Sequence, residues 1–69
     1  MQSSALQNQA FVFWRISVAL RHGAPDRKEL YQLGQDARPF LENPDPVLLR
    51  RASRLGKELQ FLWTKLGMP

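Results

Sequence analysis

Apolar residues recur along this chain in three blocks, separated by turn-forming residues. The first block covers residues 4–22. Ser4 and Gln7 form a candidate capping box at its start, and Arg21, His22, Gly23 and Pro25 form its stop. Placed at 100° per residue, Leu6, Ala10, Val12, Phe13, Ile16 and Leu20 share one face as a core stripe. A strand reading competes, because Val12, Trp14, Ile16, Val18 and Leu20 also alternate. Helix is preferred: caps bound both ends, and no second strand exists for pairing.

The second block predicts a short helix over 27–37. Asp26 and Glu29 cap its start, and Leu30, Leu33 and Ala37 fall at helical spacing. Arg38 precedes Pro39 and is pushed out of the α region, so the helix is expected to end there, with at most an extra turn at Pro39–Glu42. The third block predicts a helix over 46–66, with Asp45 as N-cap, Pro46 at the first helical position, and Lys65 and Gly67 at the stop. Leu48, Ala52, Leu55, Leu59, Leu62 and Leu66 follow the 4-3-4-3-4 spacing of a heptad seam. Gly56 faces inward in mid-helix. It lowers helix stability by about 1 kcal/mol against Ala, which suggests another helix approaching closely. The expected architecture is all-α: two long antiparallel helices with a short connecting helix, a single domain over residues 1–69, completed by homodimerisation. Phe13, Ile16, Leu20, Leu48, Leu55, Leu59, Leu62 and Trp63 are the expected core and dimer residues.

Length and composition narrow the function. Sixty-nine residues bury only about 60% of the surface of the unfolded chain, and no cysteine is present to staple it. Hydrophobic residues reach 43%, too many for a disordered tail. The longest apolar stretch, Ala10–Leu20, is about half a membrane span and contains Arg15 and Ser17. No basic n-region precedes it, so a soluble protein is expected, and the absence of cysteine fits a reducing cytoplasm. Catalytic chemistry is almost silent. His22 reads as a helix-end cation, the carboxylates read as caps or solvated positions, and no glycine-rich loop cradles phosphate. No enzyme activity, metal or cofactor is expected.

Charge and aromatics point to a partner. The last helix carries Arg50, Arg51, Arg54, Lys57 and Lys65 against Glu58 alone, a balance equal to the whole chain's net charge of +4. Arg50, Arg54, Lys57 and Phe61 form a stripe on its outer face, with Arg51 and Lys65 beside it. On the first helix, Phe11, Trp14 and Val18 form a second apolar stripe flanked by Arg15, Arg21 and His22. Either the second helix covers that stripe or another chain does, and aromatic residues with Arg are typical of interfaces. The candidate partner-binding residues are Phe11, Trp14, Arg15, Tyr31, Arg50, Arg54, Lys57 and Phe61. A small nucleic-acid-binding regulator is the alternative, although Pro39, Pro44 and Pro46 fall where the recognition helix of a helix-turn-helix would run. A membrane-surface helix fits less well, because the seam has packing partners within the chain.

In length and organisation, and in its FVFW run and RRASRLGKELQFLW helix, the chain resembles the small bacteriophage-encoded host-takeover proteins, in particular the quorum-sensing anti-activators. The resemblance implies a homodimer that binds a LuxR-type transcription activator at its DNA-binding domain and blocks DNA binding. It further implies a second target, the type IV pilus assembly ATPase, and a location in the bacterial host's cytoplasm.

Overall fold

The computed structural model describes residues 3–69, with side chains from Ala5 onward. The Ser4 side chain of the expected capping box lies outside the described residues. The described residues form three α-helices of similar length: α1 (Ser3–Arg21), α2 (Arg27–Glu42) and α3 (Leu49–Lys65). A single 3₁₀ turn, Pro46–Leu48, leads into α3. The described residues contain no strand, so the alternation at residues 12–20 is a coincidence of one helix being apolar on two sides.

The helix ends follow local chemistry. Past α1 the chain turns at Gly23 with φ +127°, a conformation L side chains rarely adopt, and Pro25 is buried behind it. Asp26 caps α2, its Oδ1 accepting the Glu29 backbone N–H at 2.8 Å. Asp45 does the same for the 3₁₀ turn, accepting the Val47 N–H at 2.9 Å. α3 closes in a Schellman motif: Gly67 has φ +67°, its N–H donates to the Thr64 carbonyl, and the Met68 N–H donates to the Trp63 carbonyl.

α2 departs from expectation. It runs through Pro39 to Glu42 and spans 16 residues, so it is a full member of the fold and not a short connector. Proline leaves the Gln35 carbonyl without its helical donor, at about 3 kcal/mol in a helix interior. Tertiary contacts offset that loss. Phe40 and Leu41 pack onto the core, and Phe40 meets Phe13 edge-on with ring centroids 6.2 Å apart. The added turn is tied by the Asn43 N–H to the Pro39 carbonyl and by Arg38 to Glu42 at 3.1 Å.

One core lies between the three helices. Phe13 and Ile16 come from α1, Leu30, Leu33 and Ala37 from α2, and Ala52, Leu55 and Leu59 from α3. Leu20, Leu48, Leu62 and Trp63 are half-buried against it. The residues expected to form a core or dimer seam thus pack within one chain, because α2 supplies the third apolar face. The expected close approach at Gly56 is absent: a Cβ there would meet only Leu41 Cδ2, at 3.8 Å. The tight position is Gly34, where a Cβ would stand 3.0 Å from the Trp63 ring.

Candidate functional site

α1 presents its second stripe outward, since α2 packs on the first. Phe11 and Trp14 stay 53% and 57% exposed, with their rings 6.0 Å apart. Val18 is half-buried. Arg15 turns away from this pair, donating to Asp36 of α2 at 2.6 Å, and Gln32 holds the other carboxylate oxygen at 3.1 Å.

Trp14 looks instead toward α3. A groove of about 480 Å³ runs between the two helices, with Trp14, Leu20 and Arg21 on one wall and Arg51, Arg54, Leu55 and Glu58 on the other. It continues in both directions through shared residues. Arg51 and Arg54 join it to a recess that also holds Val47 and Arg50, and from there to one lined by Leu49 and Lys57. Leu20, Arg21 and Glu58 join it at the other end to a recess holding Pro25 and Phe61. From Val47 in the 3₁₀ turn to Phe61 in α3 the trough measures about 20 Å, at roughly 1.5 Å per residue. Val47 is 76% and Phe61 65% exposed, and Lys65 Nζ lies 6.0 Å from the Phe61 ring centroid.

Of the candidate partner-binding residues, Trp14, Arg50, Arg54, Lys57 and Phe61 therefore share one continuous surface, with Phe11 beside Trp14. Tyr31 does not join them. It is exposed on α2, and its ring lies 6.2 Å from that of Trp63. Arg21, Val47, Leu49 and Arg51 belong to the surface as well; by sequence Arg21 and Arg51 only flank the two stripes, and Val47 and Leu49 fall in neither. The available signal was helical spacing: Arg51 neighbours Arg50 and Arg54 on α3, and Arg21 follows Trp14 by two turns on α1.

The trough is anion-attracting because its cations lack partners. Both ion pairs among the described residues, Arg15–Asp36 and Arg38–Glu42, lie elsewhere. The carboxylates are dispersed: Asp26 and Asp45 cap helices, Asp36 and Glu42 sit in those pairs, and Glu29 and Glu58 are exposed. No group of three or more His, Cys, Asp or Glu converges among the described residues. What remains is a surface suited to binding: guanidinium groups that hold carboxylate or phosphate, alternating with apolar side chains that gain by being covered.

Two polar contacts brace the elements around it. Gln9 is 7% exposed, and its Oε1 accepts the Asp45 N–H at 2.9 Å, fastening α1 to the connection before α3. Arg27 donates to the Leu66 carbonyl at 2.8 Å, fastening the start of α2 to the end of α3. Comparison with protein-family models, curated proteins and solved structures gives no match to this chain.

Proposed function

We propose that this chain is a non-enzymatic, protein-binding inhibitor whose partner docks on the trough between α1 and α3. The observation that carries the reading is a run of unpaired Arg and Lys beside exposed Trp14, Val47 and Phe61 on one surface. Trp and Arg dominate the energetics of protein interfaces, and exposed apolar side chains beside them gain from burial. The resemblance to the phage quorum-sensing anti-activators names the target: the DNA-binding domain of a LuxR-type transcription activator, with the type IV pilus assembly ATPase as a second. The resemblance further implies that the inhibitor acts in the bacterial host's cytoplasm as a homodimer.

The test uses purified components. Labelled operator DNA bound to a LuxR-type activator is released as this protein is added, and release weakens in Trp14→Ala and Arg54→Glu. Operator that stays bound at saturating protein removes the inhibitor reading. Light scattering at twice the 8.0 kDa chain mass is the expected result for the dimer.

A second reading is favoured by the one-signed stripe Arg50, Arg54 and Lys57: a small nucleic-acid-binding regulator. Phosphate contacts of this kind weaken by orders of magnitude between about 50 and 200 mM salt. A gel shift of random duplex with this protein alone, lost over that range, would favour it.

A further inference from the structure

The trough changes character along its length. At its Val47 end, Arg50, Arg51 and Arg54 cluster over the first turns of α3, where the helix dipole adds to their positive field. At the other end the lining is mainly Leu20, Pro25, Phe61 and Leu62, with Arg21 and Glu58 as one charge of each sign. Between the two ends the floor is Leu20 and Leu55, enclosed by α1 and α3. The surface therefore runs from an end dominated by three guanidinium groups to a mainly apolar end of balanced charge, over about 20 Å.

We infer that this trough takes one helix of the partner protein, about 14 residues long, acidic over one half and apolar over the other. The inference deepens the inhibitor reading and rests on it. Three guanidinium groups without carboxylate partners call for anions, and carboxylates match them in paired, charge-assisted hydrogen bonds. A nucleic-acid backbone would supply anions equally along the whole length. It would set phosphates against Glu58 and leave Phe61 uncovered. An amphipathic helix covers the apolar end and meets the cationic end with the same element. Applied to a DNA-binding domain, this excludes docking on the DNA-reading face, which is itself cationic, and places the contact on an acidic helix beside it. Inhibition then proceeds by occlusion.

Synthetic peptides of about 14 residues test the idea with the full-length chain. One carries Glu in its first turns and Leu and Phe in its last. A second has the same composition with Glu and apolar residues interspersed, and a third replaces Glu with Lys. In fluorescence anisotropy only the first binds well, and Arg51→Glu and Phe61→Ser each weaken it by about tenfold or more, equivalent to about 1.4 kcal/mol. Lys28→Glu, exposed on α2, leaves it unchanged. Circular dichroism verifies that each variant is folded. Equal binding of the interspersed peptide, or no loss in Arg51→Glu, overturns the inference. The two levels separate cleanly. An activator domain that binds wild type and trough variants alike leaves the inhibitor standing and removes the trough. A trough that binds the graded peptide while operator DNA stays on the activator does the reverse.

Discussion

Gly56→Ala should stabilise this protein. Gly56 lies inside α3, where glycine is less favourable than alanine by about 0.8–1.0 kcal/mol because more backbone freedom is lost on folding. That gain is realised only if the new methyl has room. The nearest atom a Cβ would meet is Leu41 Cδ2 at 3.8 Å, an ordinary van der Waals distance, and an open recess bounded by Leu41, Ala52 and Gly56 adjoins it. No strain offsets the propensity term, so the expected gain is about 1 kcal/mol. In a domain of this size that raises the melting temperature by about 4–8 °C. Gly34→Ala supplies the internal control, since its propensity gain is the same. Its Cβ would stand 3.0 Å from the Trp63 ring, which is held by Tyr31 and by the hydrogen bond from Nε1 to the Pro69 carbonyl at 2.7 Å. Overpacking of this kind costs about 1–3 kcal/mol, so Gly34→Ala should melt at or below wild type. Thermal melts by circular dichroism at one fixed protein concentration decide the matter. A Gly56→Ala melting temperature below wild type, or below that of Gly34→Ala, refutes the packing described for both helices.

Leu59→Ala, at a core position, should cost about 2–5 kcal/mol and come close to unfolding the chain; an unchanged urea midpoint would mean Leu59 is not core. Gln9→Ala leaves the Asp45 N–H without its acceptor and should cost about 1–3 kcal/mol, read as a lower urea midpoint. Arg15→Ala breaks only a partly exposed ion pair and should shift stability by less than about 1 kcal/mol while sparing partner binding. A tenfold loss of binding in that variant, about 1.4 kcal/mol, would return Arg15 to the partner surface.

Much of this molecule was legible without coordinates, because caps and periodicity are local. Asp26, Gly23 and Gly67 announce helix ends by chemistry confined to a few neighbouring residues, and each serves that end in the fold, whereas Asp45 caps the 3₁₀ turn ahead of α3 and α3 itself starts at Leu49. The buried stripes at Phe13 and Ile16, Leu30, Leu33 and Ala37, and Ala52, Leu55 and Leu59 follow from 3.6-residue spacing alone. Gln9 could have been found the same way. It precedes Phe13 and Ile16 by four and seven positions, so a polar group on that buried face needed a partner, although not the Asp45 N–H in particular.

What the sequence could not determine depended on contacts between distant residues. Whether α2 ends before Pro39 is a contest between a local steric penalty and the burial of Phe40 and Leu41, and only the packed core sets the second quantity. Gly34 and Gly56 are indistinguishable as letters; their difference is the Trp63 ring resting on one and not the other. Arg15 and Arg54 are equally basic in sequence, yet Asp36 claims the first and leaves the second facing the trough. Local propensity and periodicity thus determined the helices and their inward faces. The tertiary structure decided which outward side chains stand together, because neighbours across a groove are set by helix packing and not by separation along the chain.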